Sequence, residues 1–138
     1  MSNRSVSLKF FDTYAGQHDV AGCVPLFAEG ATIHSTAAPG PMDVNGYRQL
    51  GEAFLAGFPD ISATVIEQLE DGNKVVNRVI WAGTHTGTFK GISPTGRAFR
   101  NEGITIDTVM NGKIVERREF SDIFGLMQQL GLAPTSGV

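Results

Sequence analysis

The chain has 138 residues, is 41% hydrophobic and 18% charged, and carries a formal net charge of −3. That length and composition predict one globular domain with a real core and exclude a disordered chain. The charge excludes a nucleic-acid footprint: the densest basic cluster, Lys113, Arg117 and Arg118, is interleaved with Glu116 and Glu119.

In chain order, Val6, Phe10 and Tyr14 recur every four residues, with Leu8 and Phe11 beside them, and predict an amphipathic first helix ending at Gly16. Asp19 is a candidate N-cap for a short second helix carrying Val20, Val24 and Phe27, distorted at Pro25. A short strand over Ala31–His34 and a loop over Ser35–Asp43, which holds Pro39, Gly40 and Pro41, come next. Val44, Tyr47, Leu50, Phe54 and Phe58 fall at three- and four-residue steps and predict a third helix, stopped by Pro59.

The second half changes period. Strands are expected over Ile61–Leu69, Lys74–Phe89, Arg97–Met110 and Lys113–Asp122. Asp71-Gly72 and Asn111-Gly112 supply the hairpin turns, and Gly91–Gly96 a loop. A short helix over Ile123–Leu130 closes the domain, and Pro134–Val138 is expected to fray. Helices followed by an antiparallel meander make an α+β fold of a single domain over residues 1–138, in which a bent sheet wraps the helices and leaves a cavity.

Several classes of chemistry lack their residues. Cys23 is the only cysteine, so neither an internal disulfide nor a cysteine zinc site can form, and its apolar surroundings predict a buried, inert thiol. The three histidines are widely spaced with no carboxylate cluster, so no metal is expected. There is no nucleophile elbow and no phosphate loop. The polar stretch Met1–Phe11 predicts no secretory signal, and no apolar run has the length of a membrane span, so the expected location is the cytoplasm.

Alternation along the last strand places Val115, Arg117, Glu119 and Ser121 on one face and Ile114, Glu116, Arg118 and Phe120 on the other. Both faces carry charge, so hydrophobicity leaves the inside unassigned. On its residues alone, Glu119 reads as a solvated or ion-paired strand glutamate, since most strand carboxylates are surface groups.

Four stretches carry a family resemblance: Gly83-Thr84-His85-Thr86-Gly87-Thr88-Phe89, Gly91-Ile92-Ser93-Pro94-Thr95-Gly96-Arg97, Asn111-Gly112-Lys113-Ile114-Val115-Glu116, and Asp122-Ile123-Phe124-Gly125-Leu126-Met127-Gln128-Gln129-Leu130-Gly131. In this order they resemble the SnoaL-like polyketide cyclases and ester cyclases, a family of the nuclear-transport-factor-2-like superfamily, over about residues 5–132. The resemblance implies a cone-shaped α+β barrel and acid–base catalysis without metal or organic cofactor. It also implies a small, hydrophobic, carbonyl-containing, polyketide-like substrate, and a homodimer through the outer sheet face, where Ile104, Ile106 and Phe120 fall. In such cyclases a last-strand carboxylate works as general acid/base in an intramolecular aldol ring closure, a lyase- or isomerase-type reaction. Three residues before Asp122 the family usually has an aspartate, and this chain has Glu119.

The resemblance thus turns Glu119 inward, with Arg117 and Ser121, and makes His85 its candidate catalytic partner. Val79, Trp81 and Gly83 share the inward face with His85, and Trp81 is expected in the pocket wall. Asn101 and Thr105 could hydrogen-bond a substrate carbonyl, with Asp107 structural, and Tyr14 and His34 complete the candidate substrate contacts. Limonene-type epoxide hydrolases are similar at Pro94-Thr95-Gly96-Arg97 and Asn111–Ile114, but their Arg and Asp positions hold Val79 and Trp81 here, which breaks that triad. The alternative to an enzyme is a small-molecule binding protein with the same pocket and no chemistry.

Overall fold

The computed structural model describes residues 1–132; the expectation for Pro134–Val138 lies outside them. Helix α1 (Asn3–Phe11) starts at Ser2, whose hydroxyl accepts the Ser5 N–H, and runs into a π-helical turn over Asp12–Gly16. Helix α2 is four residues (Val20–Cys23), capped by Asp19 as expected, and a 3-10 turn over Val24–Leu26 accommodates Pro25. Phe27 therefore opens strand β1 (Phe27–Ser35) and does not sit in a helix. Helix α3 (Val44–Gly57) is capped by Asp43.

The remaining strands are β2 (Ser62–Asp71), β3 (Lys74–Thr84), β4 (Ala98–Met110) and β5 (Lys113–Ser121), with helix α4 (Ile123–Gln129) last. They form one five-stranded sheet in the order β1-β5-β4-β3-β2. The meander β2–β5 is antiparallel, but β1 joins β5 in parallel, so the sheet is mixed. Among the described residues, no helix is long and apolar enough to cross a membrane.

The inner sheet face and the helices share one core. Val6, Phe10, Phe11 and Tyr14 pack from the N-terminal helix against Ile33, Val75, Val79 and Ile114. Phe10 stacks on Tyr14 at 5.9 Å and on Tyr47 of α3 at 5.9 Å. Aromatic pairs of this kind add about 0.5–1.5 kcal/mol each beyond the area they bury.

Two expectations change. β3 ends at Thr84 and not at Phe89, because Asp60 accepts both the Thr84 N–H and its hydroxyl at 2.7 Å. Gly87 then lies against the end of α3: a Cβ there would stand 1.9 Å from the Ala56 carbonyl oxygen. The face assignment of β5 holds from Arg117 onward but fails at Ile114, which is fully buried. Val115 is an extra residue in the ladder, since Thr108 faces Glu116 while Val109 faces Ile114, and this β-bulge reverses parity between the strand's two ends.

Candidate active site

The cone encloses a cavity lined largely by aromatic and aliphatic side chains: Phe10, Tyr14, Phe27, Phe54, Trp81 and Phe99 form much of its wall. Cys23 also lines it, and burial pushes its thiol up to about 11, which leaves it protonated and unreactive. The polar groups that reach the lining include Tyr47, Asn101, Thr105, Glu119 and Ser121. An apolar hollow with a few placed polar atoms is the general form of a small-molecule site.

The Tyr47 hydroxyl of α3 donates to Glu119 Oε2 at 2.7 Å, and Ser35 at the end of β1 pairs in register with Glu119 across the β1–β5 ladder. Burial raises the pKa of Glu119 above the usual carboxylate range, against the opposing pull of the Arg117 charge and of the Tyr47 hydrogen bond. Tyr47 is itself pushed well up, by burial first and by the Glu119 charge second, so its phenol keeps its proton.

Arg117 lies one layer beneath the cavity lining and is fully buried. Its Nε and Nη2 donate to the two oxygens of Asp107 at 2.7 and 2.8 Å, and its Nη1 to the Tyr47 hydroxyl at 3.2 Å. The guanidinium stands 3.8 Å from the centre of the Phe10 ring, a cation–π contact. Burial opposes its charge, but Asp107 and Tyr47 outweigh that and hold it fully ionised. Asp107 also receives the Ser7 hydroxyl at 2.7 Å, and Ser7 receives Asn77 Nδ2 at 2.6 Å. One hydrogen-bonded line therefore runs from β3 through α1, β4, β5 and α3 to Glu119.

The other candidates divide. Thr105 faces Glu119 across the β4–β5 ladder and accepts from Asn77 Nδ2 at 3.1 Å, which leaves its own proton for the cavity. Trp81 is in the wall, and Ser121 lines the cavity beside Thr36. Asn101 lines the cavity but is spent on architecture: it donates to the Asp122 carbonyl and accepts from Gln129 of α4. The Tyr14 ring lines the cavity, yet its hydroxyl is not free as expected, because it donates to the Gly51 carbonyl at 2.8 Å. Gly51 permits that approach, since a Cβ there would stand 3.2 Å from the Tyr14 ring.

His85 and His34 are outside the cavity lining. His85 is fully buried behind Phe58, where its Nδ1 accepts the Thr95 N–H at 3.2 Å and so ties down the 85–97 loop. Its Nε2 has no partner among the described residues. His34 alternates with the inward Ile33 and pairs in register with the exposed Arg118. The group missed by sequence reasoning is Tyr47. Its place on the apolar stripe of α3 marked it as core, although a hydroxyl on such a stripe must find a partner when buried.

A mixed five-stranded sheet curved around N-terminal helices over one lined cavity is the cone of the nuclear-transport-factor-2-like class. The sequence profile of the SnoaL-like polyketide cyclases matches residues 5–130, and the chain belongs to that family. It is 39% identical over 122 residues to the aklanonic acid methyl ester cyclase AcmA of Streptomyces galilaeus, covering 82% of this chain and 78% of that protein. It is 29% identical over 107 residues to the aklanonic acid methyl ester cyclase DauD of Streptomyces sp. (strain C5), covering 72% of this chain and 66% of that protein, just under two thirds of its length. The crystal structure of IdmH from Streptomyces antibioticus superposes with a TM-score of 0.83 at 29% identity, covering 95% of this chain and 99% of that one.

Proposed function

We propose that the protein is a cofactor-independent cyclase that closes a ring in a polyketide-like carbonyl compound by an intramolecular aldol reaction, with Glu119 as general acid/base. The observation that carries this reading is the Glu119 carboxyl, set in an apolar cavity with its proton affinity raised by burial. A carboxyl so raised exchanges a proton nearer neutral pH than an exposed one. Glu119 takes the proton from a carbon α to a carbonyl, the resulting enolate carbon bonds to a second carbonyl carbon of the same molecule, and Glu119 returns the proton to the new alkoxide. No atom is gained or lost, so substrate and product are isomers. The Thr105 hydroxyl, opposite Glu119, is the donor best placed to hold the enolate oxygen.

The relatives' names provide the substrate to offer, aklanonic acid methyl ester. Wild-type protein should convert it to a cyclised isomer, and Glu119→Gln should slow conversion at least about 100-fold, the lower end of what a positioned acid/base contributes. Conversion by Glu119→Gln at the wild-type rate would sink the mechanism. Tight binding by wild type without conversion would instead favour the binding-protein reading, which the glutamate in the family's aspartate position keeps in view.

We also propose a homodimer through the outer sheet face. Ile104 and Phe120 are cross-strand neighbours there, 40% and 50% exposed. A second copy laid on that face would cover both. Sedimentation velocity should show a dimer for wild type and a monomer for Phe120→Glu; a wild-type monomer at high concentration refutes it.

A further inference from the structure

We infer that Tyr47 is a positioning residue for Glu119, oriented by the buried Arg117–Asp107 pair, and that it sets how strongly Glu119 holds its proton. The inference rests on Glu119 being the working carboxyl, and it concerns how that carboxyl is tuned. Tyr47 Oη has one proton and two neighbours. Arg117 Nη1 can only donate, and it occupies the phenol oxygen at 3.2 Å. The phenol proton is left to point at Glu119 Oε2, 2.7 Å away. The direction of the Tyr47–Glu119 hydrogen bond is thus imposed from behind.

What imposes it is rigid. Two N–H groups of Arg117 are fixed on Asp107, its plane lies over Phe10, and both partners are fully buried. Asp107 is locked in turn by Ser7, and Ser7 by Asn77. A guanidinium suits this place because it binds a carboxylate with two N–H groups and still offers a third elsewhere; an ammonium offers a point charge and no fork. Tyr47 also stacks on Phe10 and meets Phe27 edge-on, so its ring cannot swing away.

A phenol that donates to a carboxylate favours the ionised form and offsets part of the burial that disfavours it. Deleting that one hydroxyl should make Glu119 hold its proton more tightly. The measurement is the pH titration of the Glu119 side-chain carboxyl by NMR in the intact protein without any substrate, its signal assigned by its loss in Glu119→Gln. Tyr47→Phe keeps the ring and its stacking, and should raise the titration midpoint by about one pH unit, a tenfold change in proton affinity, as expected for one lost charge-assisted hydrogen bond. Arg117→Lys, which cannot serve Asp107 and Tyr47 with one fork, should raise it in the same direction. Tyr14→Phe removes the other cavity phenol, whose proton goes to the Gly51 carbonyl, and should leave the midpoint in place. A Tyr47→Phe midpoint equal to or below that of wild type overturns the inference, as does an equal rise in Tyr14→Phe. Because no substrate enters the experiment, a missing cyclase activity and a missing tuning role give separate results.

Discussion

Arg117 and Asp107 are the two residues on which the polar side of this cavity depends, and their energetics differ in kind from those of the surface ion pairs. Both are completely buried, whereas Arg48 and Glu52, an i,i+4 pair on α3, keep 35% and 50% of their side chains in solvent. In solvent the attraction is screened, and such a pair is worth about 0.5 kcal/mol or less. In the core the charge has already lost its water, so the bidentate carboxylate partner is the main thing that makes it tolerable. Asp107→Asn keeps shape and some hydrogen bonding but leaves a buried cation without a counter-charge. It should destabilise the protein by about 3–5 kcal/mol, read from the urea midpoint, while Glu52→Gln should change it by about 0.5 kcal/mol or less. Similar losses in the two variants would mean that Arg117 is better hydrated than its full burial shows.

At the scale of elements, what the sequence made legible is what depends on local period. The helical stripes through Phe10 and Tyr14 and through Tyr47 and Phe54, and the inward set Arg117, Glu119 and Ser121, follow from spacing once the family resemblance fixes which strand face is inside. What was not legible depends on contacts between distant segments. The bulge at Val115 is one residue against a partner strand, and nothing in Lys113–Glu116 announces it. His85 continues the inward parity of Val79 and Trp81, yet the strand has ended beneath it because Asp60, 24 residues earlier, takes the Thr84 hydrogen bonds. Its ring therefore holds a loop and is no partner to Glu119. Tyr47 meets Glu119 across 72 residues, and only the curvature of the sheet over α3 closes that gap. The parallel pairing of β1 with β5, which brings Ser35 level with Glu119, is likewise a fact of topology and not of pattern.

For the whole molecule, a carboxyl kept in an apolar cavity is a burden on stability whose size depends on pH. The folded-state pKa of Glu119 is raised, so between the ordinary glutamate value, about 4.3, and that higher folded value the native state binds more protons than the unfolded state. Stability then falls as pH rises through that window, and above it the fold carries the full penalty of a desolvated charge. Asp60 works in the opposite sense: Thr84 hydrogen bonds lower its pKa, so its contribution is present at neutral pH and lost on acidification. Asp60 is exposed to solvent and common to both proteins in a comparison of wild type with Glu119→Gln, so it cancels. Glutamine keeps the shape and still accepts from Tyr47, but carries no charge at any pH. Glu119→Gln should therefore melt above wild type at pH 7 by a few degrees, about 1 kcal/mol corresponding to roughly 4 °C in a domain of this size. The gap should close as pH falls below about 4, where both side chains are neutral in both states. Melting curves that coincide at every pH would show that the carboxyl is not desolvated, and would remove the physical reason for giving Glu119 the proton-transfer role.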